Sequence, residues 1–166
     1  MRTLFTIDKK NYTDDMPVIE RFAVRALINR NGLWAMQKSN IGDYKIPGGG
    51  VEKEESYQEA LLREVQEETG LLVIPETIRE IGEVVEMKED SFEKGKKYIA
   101  HSFYYFCGVR EEKGVTSMTE NELKRGYQLE WADIDHIIKC NEKYQKEVWA
   151  VRDTQFIKWL KDNIDK

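Results

Sequence analysis

Cysteine is scarce in this chain: Cys107 and Cys140 stand far apart and fit no metal-ligand spacing. They read as two buried, reduced thiols of a cytosolic protein, not as a disulfide framework. Long apolar runs are missing as well. None approaches the roughly 18–20 residues of a membrane span, and MRTLFTIDKK lacks the apolar segment of a signal peptide. A cytoplasmic protein with no membrane partner is the expectation. Positive charge is in deficit, because 26 Lys and Arg face 31 Asp and Glu for a net charge of −5. That speaks against a binder of duplex nucleic acid. It leaves room for small phosphate ligands, since a local cation can reverse the sign of one site. Repeats, low-complexity tracts and Pro- or Ser-rich linkers are absent too, so residues 1–166 are expected to form one domain.

What is present is globular in character, with 40% hydrophobic and 34% charged residues. ERFAVRALINRNGLWAMQK reads as two strands around Asn31-Gly32, a dipeptide suited to the positive φ angles of a hairpin turn. A loop through Asp43 and Tyr44 then leads to Pro47 and three glycines. Ser56 and Glu59 make a capping box, and Gly70 supplies a left-handed closing position, so a helix lies between them. LLVI, IREIGEVVEM and YIAHSFYYFCGV follow as strands, with a solvated hairpin loop over 89–97. The stretch 110–125 reads as a polar loop before a short strand, YQLEWA. Two helices close the chain: ADIDHIIK, and a longer one with a core stripe of Val148, Val151, Phe156, Trp159, Leu160 and Ile164. This order predicts an α/β (α+β) fold, a mixed sheet between helices.

The first helix is loaded with acid. At about 100° per residue, Glu64, Glu67 and Glu68 share about 100° of one face, beside an apolar stripe of Leu61, Leu62 and Val65. Like charges one turn apart cost a few tenths of a kcal/mol per pair, and acids near a helix C-terminus oppose the macrodipole. A divalent cation is the simplest compensation, and carboxylate oxygens are what Mg²⁺ and Mn²⁺ prefer. Gly48, Gly49 and Gly50 let the backbone run close to a ligand. The segment is not a P-loop, because the Gly-Lys-Ser/Thr ending is missing.

These residues resemble the Nudix box, G-x5-E-x7-R-E-U-x-E-E-x-G-U with U a bulky aliphatic residue. Gly49, Glu55, Arg63-Glu64, Val65, Glu67-Glu68, Gly70 and Leu71 fill all of its specified positions within residues 49–71. A chance match is on the order of one in ten million at ordinary residue usage. One departure is Glu54, where many members carry glycine.

The resemblance implies a Nudix fold and Mg²⁺-dependent hydrolysis of a nucleoside diphosphate linked to another group, with Mn²⁺ as a substitute. It assigns Glu64, Glu68 and Glu67 to the metal, Arg63 to orienting carboxylates, and Gly48, Gly49 and Gly50 to the substrate's phosphates. Glu55 is expected to steady the loop–helix junction, and Glu52 is a candidate remote ligand. The general base is a box glutamate such as Glu67, or a later acid, Glu120 or Glu122. Tyr12, Trp34, Tyr44, Phe103 and Tyr105 are candidates for stacking on a base. Beyond the box, VVEMKED lacks the proline of many ADP-ribose hydrolases and the tyrosine of many dinucleoside polyphosphate hydrolases. A MutT-like nucleoside triphosphate pyrophosphohydrolase is left by elimination. The alternatives are hydrolysis of ADP-ribose, a nucleotide sugar or a dinucleoside polyphosphate, and a non-catalytic nucleotide-binding module. A homodimer is compatible with all of these readings, and His101 and His136 are taken as structural.

Overall fold

The computed structural model describes residues 1–144 and 148–164. It opens with β1 (Thr3–Asp8), β2 (Val18–Leu27), β3 (Asn29–Arg30), β4 (Leu33–Lys38) and β5 (Tyr44–Lys45). Helix α1 (Tyr57–Thr69) follows, then β6 (Leu71–Val73), β7 (Arg79–Glu89), β8 (Lys97–Phe106) and β9 (Val109–Lys113). The chain ends with α2 (Glu120–Lys124), β10 (Gln128–Ala132), α3 (Ile134–Asn141) and α4 (Val148–Asn163).

The main sheet is mixed, in the order β1-β7-β8-β2. Its outer pairs, β1 with β7 and β2 with β8, are parallel, and the β7–β8 hairpin between them is antiparallel. A second sheet, β10-β4-β3, carries β5 on β4, and β6 pairs with β9. The turn at Asn31-Gly32 forms as expected, with φ of 53° and 81°. It joins only β3 to β4, because β2 belongs to the other sheet.

Alternation along β8 sorts its side chains between two cores. Phe103 and Tyr105 pack with Ala60, Leu61 and Val65 of α1, together with Val24 and Ala26 of β2. Tyr104 points the other way and stacks on Phe156 of α4, 3.6 Å between ring centres, beside Ile157 and Leu160. The mixed sheet is therefore covered by helices on both faces. Burial of such side chains is worth roughly 1.5–3 kcal/mol each, and it holds the acidic helix rigidly against β2.

Several expectations need correction. Strand β1 was not anticipated. The region read as one polar loop over 110–125 contains β9 and a capped helix, α2. Ile164 is exposed and not part of the core stripe. The Val148 side chain lies outside the described residues.

Candidate active site

The glycine turn is stitched to the edge of β2. Ala26 and Val24 donate their N–H groups to Pro47 O and Gly49 O, at 2.8 and 2.9 Å, and Val51 N–H donates to Phe22 O at 2.9 Å. From the other side, Asp153 Oδ2 accepts from Ile46 N–H at 2.9 Å, and Asn141 brackets Tyr44 through both its N–H and its C=O. Helices α3 and α4 thus set the approach into the turn. Gly48 adopts a φ of 139°, and a Cβ there would come within 2.9 Å of Arg25 Cα and nearer still to Val24 O. At Gly49 a Cβ would lie 2.5 Å from both carboxylate oxygens of Glu64. Those glycines let α1 bring its acids against the turn.

Ser56 caps α1 and pairs reciprocally with Glu59, and Gly70 closes the helix at φ 73° with its N–H on Gln66 O. The acids that follow from this placement are not bare. Arg63 forks onto Glu55, Nε to Oε1 at 2.7 Å and Nη2 to Oε2 at 2.9 Å. It also reaches Glu64 at 2.8 Å, Glu67 at 3.3 Å and the Gly50 carbonyl at 3.1 Å. The hydrogen bonds it donates to Glu55 and Glu64 raise its affinity for its proton, and Arg63 in turn holds the Glu55 carboxyl below its usual range. Glu55 also accepts from Glu52 N–H, which ties the loop to the helix, while the Glu52 side chain is largely exposed.

Glu68 is the most buried of the α1 acids, 2% exposed. Its Oε2 accepts from Gly48 N–H at 2.8 Å and its Oε1 from Lys45 Nζ at 2.9 Å. Burial pushes its pKa up to about 7, against the pull of Lys45, the Gly48 N–H and Arg25. Lys45 is itself shared, with Glu122 Oε1 at 3.8 Å and the Tyr127 ring at 5.6 Å. Glu122 is brought there by the capping box of α2, in which it accepts from Thr119 N–H. Although burial raises it, that bond, Glu68 and Lys45 together hold its carboxyl below the usual value. Glu120 faces solvent on the same short helix, with no bond to the site among the described residues.

The expected compensation of the acidic face by a divalent ion therefore has a local counterpart, since Arg63 and Lys45 already sit among these carboxylates. Among the described residues no three acids converge closely enough to share an ion as they are placed. Glu68 is turned onto Gly48 and Lys45, and Glu64 onto Arg63. The donor set nonetheless consists of hard carboxylate oxygens beside backbone carbonyls, which suits Mg²⁺ or Mn²⁺.

A cleft of about 560 Å³ opens next to the turn, lined by Arg21 and Arg25 of β2, Glu86 and Lys88 of β7, Tyr98 of β8 and Arg152 of α4, with Phe92 at the hairpin loop. One of its lining residues, Arg25, ties it to the turn. Arg25 Nη1 donates to Gly48 O at 2.6 Å, and a Cβ added to Gly50 would lie 3.5 Å from Arg21 Nη2. Arg25 is buried, which lowers its pKa, and its Nε has no hydrogen-bond partner among the described residues. Arg152 Nη1 reaches Glu86 at 3.4 Å, while its Nη2 lies 2.8 Å from Asp153 but outside hydrogen-bonding geometry. Two largely buried guanidiniums, those of Arg25 and Arg152, thus line the cleft.

The aromatic candidates lie elsewhere. Phe103 stacks on Tyr57, 4.6 Å between centres, and Tyr105 shares its face, because strand alternation turns both toward α1 and leaves Ala100 and Ser102 facing the cleft. Tyr44 is fully buried and donates its hydroxyl to Glu130. Trp34 is core, and Tyr12 lies under Lys97 while bonding Asp8. His101 bridges Glu83 and Glu20 as a structural residue. Sequence reasoning missed Lys45, Arg21 and Arg25. The signal for Arg25 was there, as a cation inside the apolar run Phe22–Leu27 of β2.

Residues 20–160 match the NUDIX domain family. Among solved structures, a NUDIX hydrolase from Nitrosomonas europaea superposes with a TM-score of 0.56 at 18% identity, covering 81% of this chain and 85% of that one. A MutT protein from Methanosarcina mazei Go1 gives 0.55 at 23% identity, covering 93% of this chain and all of the other. An RNA pyrophosphohydrolase from Erythrobacter litoralis (strain HTCC2594) is 45% identical over 49 residues, which spans 27% of this chain and only 30% of that relative. The chain belongs to the NUDIX domain family and has the fold of the Nudix hydrolases.

Proposed function

We propose that residues 1–166 act as one Nudix domain, a pyrophosphohydrolase that cleaves the phosphoanhydride of a nucleoside-diphosphate-linked substrate, with nucleoside triphosphates as the favoured class and Mg²⁺ as the ion. The observation that carries this reading is the hydrogen bond by which Arg25, a residue lining the cleft, meets the glycine turn at Gly48 O. A phosphate chain can lie along the guanidiniums of Arg21 and Arg25 while the rest of the substrate occupies the cleft. Glu64, Glu68 and Glu67 would hold the divalent ion, which when bound neutralises charge on the phosphate oxygens and makes water a better nucleophile. The remaining work falls to the chain itself. Arg25 and Arg21 offer charge-assisted donors to anionic oxygens. Arg63 fixes Glu64 relative to Glu55. Glu67, its side chain 39% exposed and bonded among the described residues only to Arg63, at 3.3 Å, is the acid best placed to take a proton from the attacking water. Glu122, anionic beside Lys45, is the second candidate base. Phe92 and Tyr98 replace the buried aromatics as faces for a base. A cytoplasmic setting suits the two free thiols.

The test is a panel of nucleoside triphosphates, nucleotide sugars, ADP-ribose, dinucleoside polyphosphates and 5′-triphosphorylated RNA, with Mg²⁺, Mn²⁺ or chelator, and with products identified by mass. The RNA belongs there because of the Erythrobacter relative. Metal-dependent release of a nucleoside monophosphate and pyrophosphate is expected. No turnover of any member with either ion would refute an enzymatic role and leave a nucleotide-binding module.

A further inference from the structure

Arg63 and Lys45 both neutralise the acidic cluster, but they are held differently. Arg63 makes contacts with Glu55, Glu64, Glu67 and Gly50 together, so it cannot leave without breaking several bonds. Lys45 has one close partner, Glu68 Oε1 at 2.9 Å, and a second in waiting, Glu122 Oε1 at 3.8 Å. About 1 Å of travel would complete the second pair at the usual distance for a charge-assisted bond. Its backbone stays fixed throughout, paired to Gln37 and flanked by Tyr44 on Asn141 and Ile46 on Asp153. Its side chain is 17% exposed, with the ammonium 5.6 Å from the centre of the Tyr127 ring.

Glu68 has no idle oxygen. Oε2 is taken by the Gly48 N–H and Oε1 by Lys45. Gly48 is backbone held against β2, so the ammonium is the partner that can yield. We propose that Lys45 is a displaceable internal cation, a positioning residue that neutralises Glu68 in the ion-free protein and transfers to Glu122 when a divalent ion takes Glu68. The exchange keeps the buried carboxylate charge-paired at every stage, and it draws the α2 segment onto the site through Glu122 as the ion arrives. The proposal rests on the reading that Glu68 ligates the ion.

The experiment measures Mn²⁺ binding by calorimetry, and melting temperature in chelator and in Mn²⁺, for the wild type, Lys45→Met, Lys45→Arg and Glu68→Gln. Removing a like charge from beside the ion should tighten Mn²⁺ binding to Lys45→Met by about tenfold or more. Lys45→Arg, which keeps the charge beside the ion, should stay within about threefold of the wild type. Lys45→Met should melt lower than the wild type in chelator and gain more from Mn²⁺, a pattern that loss of packing alone would not produce. Should Lys45→Met fail to fold, the lysine ammonium resonances of the wild type serve instead. The Lys45 signal, assigned with Lys45→Arg, should be sharp and slow-exchanging in chelator and should shift on titration with Mg²⁺. Equal Mn²⁺ affinity in Lys45→Met and the wild type, with Glu68→Gln still weakened, or a Lys45 signal unmoved by Mg²⁺, would overturn the exchange alone. No Mn²⁺ binding by the wild type, or full binding by Glu68→Gln, would overturn the metal reading and the exchange with it.

Discussion

Replacing Gly49 and Gly48 by alanine, one at a time, should separate the site from its scaffold. At Gly49 the new methyl would sit 2.5 Å from both Glu64 oxygens, whereas carbon and oxygen need roughly 3.3 Å or more. The carboxylate must retreat by about 1 Å. It can, because it is the far end of a flexible side chain, so the stability cost should stay near 1 kcal/mol, or about 2–4 °C in melting temperature for a domain of this size. A misplacement of about 1 Å among reacting groups costs on the order of 10²-fold in rate. Gly49→Ala should thus remain folded and lose most of its turnover. At Gly48 the methyl would meet β2 backbone that carries the Val24–Gly49 and Ala26–Pro47 bonds, from a φ of 139° that side chains resist. That substitution should cost about 3 kcal/mol or more. Circular dichroism melts and steady-state kinetics on the best substrate of the panel report both quantities. Wild-type kcat in Gly49→Ala, or equal melting losses in the two variants, would refute the reasoning.

Arg63→Lys keeps the charge but loses the fork on Glu55, and should destabilise by about 1–2 kcal/mol in urea melts while lowering activity; an unchanged midpoint would show that the fork contributes nothing. Glu54 sits at φ 66°, where glycine carries no steric cost, so Glu54→Gly should be neutral or stabilising by up to about 1 kcal/mol. A clear loss in the same assay would mean that the Glu54 side chain holds the turn. Burial pushes the Cys107 thiol up to about 12, leaving it protonated and shielded at pH 8, so a thiol reagent should modify only Cys140 in the native protein. Rapid labelling of Cys140→Ser before unfolding would contradict that.

Those features that sequence made legible are the ones governed by near neighbours. Ser56 with Glu59, Gly70 and the apolar stripe of Leu61, Leu62 and Val65 bound and orient α1 without help from the rest of the chain, although Ala60 and not Leu62 is the third fully buried member. The Asn31-Gly32 turn is local in the same sense. The capping box Thr119-x-x-Glu122 carried the same signal, yet no apolar run follows it and Leu123 is exposed, so α2 passed for a loop. Strand β1 exists because β7, some 80 residues away, offers it a parallel edge, and no local pattern announces that. The sides taken by the aromatics depended on which face of β8 met α1, and this register is set by β2 and β7. Lys45 and Arg25 became part of the site only when β5 and β2 closed on the turn.

The two internal cations give the acidic helix an asymmetry that its sequence does not show. On one side, Arg63 binds Glu55, Glu64, Glu67 and the Gly50 carbonyl into a single unit, so the loop, the helix and the turn must move together or not at all. On the other, Glu68 and Glu122 approach from different elements and share one flexible ammonium. Like-charge repulsion on α1 is therefore relieved twice, once permanently and once exchangeably. The permanent pair fixes where Glu64 points, which is why Gly49 can press so closely on it. The exchangeable pair leaves one deep carboxylate whose partner can change without moving backbone, and it is this side of the helix that adjoins Arg25 and the mouth of the cleft.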